Sequence, residues 1–220
     1  MYDNRSICLE IVHRHDVGML MNMYFDIFYD REPLTQCIGL TKEQMMSIAN
    51  HQYYSDIIMQ GFCWVARDRA QKNKEIGFIV CQDLSGSSVY EIPEDLSNEA
   101  QNAVYAAAGL LEEVRQPIYK SLESGQGVSL HIAAIGVAAE YEGQGVAKSL
   151  LEGALVSAYQ RGFQYAFSEC TSTASRVLHE KFGFECLKEV LVNQFVIDGK
   201  HPFYECELDV YLMQKVINQK

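Results

Sequence analysis

Three short stretches hold the residues whose types and spacing could do chemistry. In "IGVAAEYEGQGVAKSLLEGAL", Ile135 to Leu155, an apolar run gives way to a turn with Gly143 and Gly145 and then to a helical pattern. Such a turn can hold an anion: small residues admit it close to the backbone, and the free N–H groups of the helix start point at it with the helix dipole behind them. In "FYDREPLTQCIGL" (28–40), Glu32 is a carboxylate whose backbone Pro33 pushes away from helix, by composition a charged loop residue before a turn. In "CTSTASRVLHEKFGFE" (170–185), Thr171 and Ser175 stand four residues apart and would share one face of a helix's first turn, where one hydroxyl can serve as an N-cap. One turn further stands His179, a side chain able to donate or accept near neutral pH.

Three phosphate-binding patterns compete for the glycine turn. A dinucleotide fingerprint, G-x-G-x-x-G, fails at its third glycine, where Lys148 would block close helix–strand packing. A Walker loop, G-x-x-x-x-G-K-[ST], finds Lys148 and Ser149 but has Glu142 and Ala147 in place of its glycines. The pattern [QR]-x-x-G-x-[GA] between a strand and a helix fits E-G-Q-G-V-A from Glu142 at every position but the first. That turn resembles the acetyl-CoA loop of the GNAT N-acetyltransferase superfamily. The segment 170–185, with its closing Gly183-Phe184, resembles the strand–helix unit that follows it there. "REPL" resembles the "DEPL" segment of insect-type arylalkylamine N-acetyltransferases, and "ELDVYLMQK" resembles their last strand, so the likeness spans nearly the whole chain.

The resemblance implies an α/β fold: a single domain over residues 1–220, with a mixed, mostly antiparallel sheet, helices on both faces and a splayed acetyl-CoA cleft. It implies direct attack of an amine on acetyl-CoA in a ternary complex, with Glu32 as general base and Thr171 and Ser175 as relay and thiolate acid. His179 stands where many members place a tyrosine acid, and is a further candidate or a plain helix-face residue. The cofactor would meet main-chain groups of Ile135 and Val137 and the turn Glu142, Gly143, Gln144, Gly145, Val146, Ala147 and Lys148. A bulge or splay would free an oxyanion-binding amide at or near Val137. Glu142 departs from the pattern: its side chain is expected to turn to solvent, with Lys148 supplying the missing positive charge. Phe28, Tyr29 and Leu34 would line the amine slot.

These groups need a scaffold to position them. Alternation of Ile7, Leu9 and Ile11 predicts a strand over 6–13, and "FCWVARD", "EIGFIVCQD", "VSLHIAAIGV", "QYAFSEC", "FECLKEVLV" and "ELDVYLMQK" predict the others. Helical spacing predicts a helix from Val17 to Tyr29 that Pro33 keeps from continuing, and one from the capping box Thr41–Gln44 to about Ile58. Further helices are expected from Asn98, disturbed by Pro117, from the glycine turn to about Arg161, and over 173–182, capped by Thr171 or Thr173. Residues 84–98 read as a surface loop.

Composition narrows the function classes. With 48% hydrophobic and 21% charged residues among 220, the chain can build a core. A formal charge of -11 argues against nucleic acid, which needs a basic face, and suits a cationic amine. No run is long enough for a membrane span. Seven scattered cysteines and no apolar leader fit a reduced, cytoplasmic protein in which the Asn4-Arg5-Ser6 sequon stays bare. His13 and His15 lack further ligands, so no metal is expected. A monomer or weak homodimer acting on a small-molecule amine is the expectation. Two alternatives stay open: a polyamine or agmatine-like acceptor, and a degenerate acyl-CoA-binding sensor, which Glu142 would favour.

Overall fold

The computed structural model describes residues 6–49, 51–83, 92, 94, 96–121 and 127–217. Most of the expected loop over 84–98, and Asn4 and Arg5 of the sequon, lie outside these residues. Seven strands form one sheet in the order β1-β2-β3-β4-β5-β7-β6. They are β1 (Ile7–Ile11), β2 (Trp64–Asp68), β3 (Lys74–Asp83), β4 (Ser129–Val137), β5 (Tyr165–Cys170), β6 (Glu185–Leu191) and β7 (Asp209–Val216). Every pairing is antiparallel except that of β4 with β5. The fold is therefore the expected mixed, mostly antiparallel α/β arrangement.

Neighbouring strand residues point to opposite faces, and the core divides accordingly. Ala66, Ile79, Ala166 and Met213 pack under α6 (Val146–Gln160) and beside α7 (Thr173–Lys181). Val65 and Phe78 pack against α1 (Val17–Tyr24), while Phe167 and Leu212 join the side chains of a longer helix, Asn98–Ser121. With both faces covered, the middle of β3, Ile76 to Cys81, carries no polar side chain, and its residues from Ile76 to Gln82 are buried. Gly77 lets the first turn of α6 come close: a Cβ there would lie 2.9 Å from the Gly136 carbonyl oxygen and 3.1 Å from Val146.

The helical connections differ from the sequence expectation in three places. The helix from Val17 is α-helical only to Tyr24 and closes in a π turn, Phe25–Tyr29. The helix from Val17 ends at Tyr29, before Pro33, as expected, but Pro33 also starts a helix that was not expected: α2 (Pro33–Ile38) has Pro33 in its first turn, where the missing N–H costs nothing, and left-handed Gly39 at its end. The expected helix from Thr41 to Ile58 is two, α3 (Lys42–Ile48) and α4 (His51–Met59), because Ala49 leaves the helical region at ψ 68°. The capping box at Thr41 and Gln44 forms as read. The long helix, α5 (Asn98–Ser121), runs through Pro117 without ending.

Candidate active site

The cleft begins where β4 and β5 part. Their parallel pairing covers only Ser129 to His131 against Tyr165 to Phe167, so the C-terminal half of β4 has an open edge. On its other edge β4 pairs with β3 up to Val137↔Gly77, with a register break between Val80 and Cys81 that leaves Ala133 as the extra residue. The bulge thus lies four residues upstream of Val137. The Ala138 N–H bonds to the Ile76 carbonyl at 2.9 Å, which makes 138/76 a hydrogen-bonded pair. Bonded and non-bonded pairs alternate, so the peptide groups of Val137 and Ile135 face away from β3, across the open edge.

A cleft of about 610 Å³ lies along this edge. Of the residues expected to meet the cofactor, Ile135, Val137, Glu142, Gly143, Gly145, Val146, Ala147 and Lys148 line it. Gln144 does not: its Nε2 turns back to donate to the Glu140 carbonyl at 2.8 Å. Gly143 (φ 70°) and Gly145 (φ 85°) are left-handed, and Gly145 is the N-cap of α6 with no side chain to occupy the helix's free N–H groups. Glu142 does not stand alone in solvent. Its carboxylate pairs with Arg31, whose Nη1 also donates to the Val137 carbonyl at 2.9 Å.

Glu32 is buried at the far wall of the same cleft. The π turn brings it there: the N–H groups of Arg31 and Glu32 both bond to the Phe28 carbonyl. As N-cap of α2, its Oε1 accepts from the Leu34 N–H at 3.1 Å and its Oε2 from the Thr35 N–H. Oε1 also accepts a short hydrogen bond from the Thr171 hydroxyl. Two segments 139 positions apart in sequence therefore meet at the predicted base. Thr171 is free to do this because Ser172, not Thr171 or Thr173, caps α7, its Oγ accepting from the Ser175 N–H at 3.1 Å.

Ser175 and His179 lie on α7 over the cleft. The Ser175 hydroxyl donates to the Cys170 sulfur at 3.3 Å. Burial pushes the Cys170 thiol up to about 11, so it stays protonated at neutral pH. His179 is 1% exposed, in the core rather than on a helix surface. Its Nδ1 sits 2.9 Å from the Ser175 carbonyl, which can only accept, so the proton is on Nδ1 and the unpartnered Nε2 carries a lone pair. Burial lowers this imidazole below its ordinary range despite that bond. A neutral ring whose one N–H proton is held by the Ser175 carbonyl is poorly suited to protonate a thiolate.

A second cavity, about 710 Å³, opens on the other side of Glu32. Phe28, Glu32, Ala133, Ala134, Glu169 and Thr171 line both cavities and form their common wall. Leu34 lines the second, with Tyr24 and Tyr54. Tyr29 lines neither; its hydroxyl donates to the Leu40 carbonyl at 2.6 Å and ties down the loop that follows α2. The sequence reading missed a polar group at the base of this cavity. Glu169 binds His131 at 2.7 Å and makes a short ion pair with Arg115. Burial alone would raise the Glu169 carboxyl, but His131 and Arg115 outweigh it and hold it well below the carboxylate range. Gln82 Nε2 lies 3.2 Å from His131 Nδ1, on the side of the ring away from Glu169. The one available signal was a polar residue, His131 or Glu169, inside each of two apolar strand patterns.

Comparison with known proteins agrees with this architecture. The model of the acetyltransferase (GNAT) family matches residues 39–184. The chain belongs to the GNAT acetyltransferase family. Arylalkylamine N-acetyltransferase 2 from Aedes aegypti is 20% identical, with a TM-score of 0.78 over 98% of this chain and 100% of its own. The polyamine N-acetyltransferase of Drosophila melanogaster, which forms N-acetylagmatine, is 20% identical, with a TM-score of 0.75 over 96% and 99%. The C-terminal condensation domain of Ebony, solved with beta-alanyl-dopamine, is 18% identical, with a TM-score of 0.77 over 96% and 98%. At these identities the likeness is one of fold. In this GNAT acetyltransferase the first cleft suits an acyl-CoA: left-handed glycines keep side chains away from free helix N–H groups, and the open edge of β4 presents peptide groups to an amide-bearing arm.

Proposed function

We propose that this chain is an acetyl-CoA-dependent N-acetyltransferase for a small primary amine, an arylalkylamine of the dopamine, serotonin or tyramine type, with Glu32 as its general base. The observation that carries the reading is the place of Glu32, a buried carboxylate in the wall between a cleft with an anion-binding turn and a cavity lined by Tyr24, Phe28 and Tyr54. An alkylamine has a pKa of about 10 and arrives protonated, so its proton must be removed before it can attack. A carboxylate has about four lone-pair sites. Leu34, Thr35 and Thr171 occupy three on Glu32, which leaves one for the amine or a bridging water. Thr171 fixes the orientation of Oε1 and offers a path for the proton.

Acetyl-CoA, when bound, supplies an activated acyl thioester. Ile135 and Val137 N–H groups at the open edge of β4 are the donors for a developing oxyanion, and Ser175 Oγ holds the proton for the departing sulfur. The Ser175 hydroxyl can turn from Cys170 at little cost, because sulfur is a weak acceptor. A sensor without catalysis loses its main support, since Arg31 offsets the charge of Glu142. A polyamine acceptor keeps one: Glu112, exposed at the rim of the second cavity, suits a distal cation.

The test is thiol release from acetyl-CoA against a panel of aryl amines, polyamines and a peptide. Higher kcat/KM for aryl amines is expected. A preference for polyamines would establish the second acceptor class, and CoA binding without release from any acceptor would establish a sensor.

A further inference from the structure

The Arg31–Glu142 pair joins the two loops that matter most, the one that carries Glu32 and the turn that precedes α6. The side chains are 43% and 52% exposed. An ion pair this open adds little to folding stability, so its consequence is where it puts the guanidinium. Arg31 lines the acyl-CoA cleft with Glu142, Gly143 and Gly145. One Nη is turned to Glu142 and the other to the Val137 carbonyl. A guanidinium has five N–H donors in a planar fork, so several remain for a phosphate oxygen.

We propose that Arg31 is a coenzyme-binding residue that supplies the diphosphate's counter-charge from the opposite loop, with Glu142 as its holder. The charges of the two loops are exchanged relative to the sequence patterns they resemble. Where "DEPL" has an acid this chain has Arg31, and where [QR]-x-x-G-x-[GA] has a basic or neutral residue it has Glu142. The acidic residue before the glycines is then half of a relocated positive site, and no carboxylate faces the phosphates unpaired. Arg31 also occupies the Val137 carbonyl, a group facing the acyl-donor side, so the guanidinium shifts from that carbonyl to phosphate as the coenzyme enters.

The inference rests on acyl-CoA binding in the first cleft, and its test separates the two. Calorimetric titration of the full chain with CoA, dephospho-CoA and pantetheine isolates the diphosphate, which only the first two carry. Arg31→Asp is expected to weaken CoA and dephospho-CoA equally, by about tenfold to a hundredfold, the range of a hydrogen bond to a charged group, and to leave pantetheine unchanged. Arg31→Lys, which keeps charge but loses the fork, should fall between. Arg31→Asp combined with Glu142→Arg should restore CoA affinity to the wild-type range, with an unchanged melting temperature. Wild-type binding of CoA with Arg31→Asp unaffected would overturn this inference alone. So would a loss confined to CoA, which would place Arg31 on the 3′-phosphate, or a double variant that does not recover. Absence of CoA binding by the wild type would overturn it together with the proposed function.

Discussion

Glu32 caps a helix and is the proposed base, and its two roles separate on substitution. Glu32→Gln retains one acceptor oxygen for the α2 amides but turns an NH2 group toward Thr35 N–H or the Thr171 hydroxyl. A drop in melting temperature is therefore expected under either role. Loss of the base is expected to cut kcat/KM by about 10²–10⁴-fold, with partial recovery at high pH as the amine deprotonates in solution. Folded Glu32→Gln with near-normal kcat/KM from about pH 6 to 9 would leave Glu32 as a cap only. His179 gives a second residue-scale expectation. Above its ordinary value of 6.5 the imidazole is neutral in both folded and unfolded chains and contributes no pH dependence. Below that value the unfolded chain takes a proton that the buried ring resists, so stability falls as pH drops from 6.5 toward the folded value. His179→Asn keeps a donor for the Ser175 carbonyl and removes the titration. Its melting temperature should fall less steeply than that of the wild type between about pH 6.5 and 5. Parallel slopes would show that the ring protonates freely in the folded protein.

The elements that position these residues were unequally legible. Strands announced themselves because alternation or a continuous apolar run is a local property, and β1 to β7 all follow the runs read from the sequence. The glycine turn was legible for a related reason: left-handed backbone favours glycine, although Lys72, Asn73 and Asp198 adopt it as well. Partners across the fold were not. No pattern near Glu142 points to Arg31, and nothing near Glu32 selects Thr171 over Ser172, since these pairings depend on how β5 and the α1–α2 connection come to face one another. Pro33 was half legible: proline forbids a helix interior, which ends the stretch before it, but it also favours a helix start, and only the cap bonds of Glu32 reveal that second role. The same contrast yields a prediction for the turn before α6. An added Cβ at Gly145 meets nothing within 4 Å, so Gly145→Ala tests backbone conformation without a clash. It should cost about 1–2 kcal/mol of stability, the penalty of a left-handed L-residue, by denaturant titration. Gly145→Glu should add a sharp loss of CoA affinity, because its carboxylate stands among the N–H groups of the helix start. Unchanged CoA binding by a folded Gly145→Glu would place the phosphates elsewhere.

At the scale of the whole molecule, the two cavities differ in charge balance. Arg31, Lys148 and Lys181 face Glu32, Glu142 and Glu169 in the lining of the first. The second carries Glu32, Glu112 and Glu169, with Arg115 as its cation, already engaged by Glu169. The chain's net charge of -11 reinforces the second cavity's attraction for an ammonium group approaching from solvent. That attraction is long-ranged only where salt is scarce: the screening length falls from about 30 Å at 0.01 M to about 10 Å at 0.1 M ionic strength. For a monoamine, kcat/KM is therefore expected to fall several-fold across that interval, at saturating acetyl-CoA and fixed pH. A diamine carries twice the charge and should show about twice the logarithmic slope, whichever of the two is the better substrate at high salt. Because ionic strength hardly touches the apolar contacts with Tyr24, Phe28 and Tyr54, the change belongs in encounter rather than in kcat. Measured kcat should stay flat while KM rises. A monoamine kcat/KM that is constant or increases with salt would mean that the acceptor reaches Glu32 without help from the acidic field of the second cavity and of the chain as a whole.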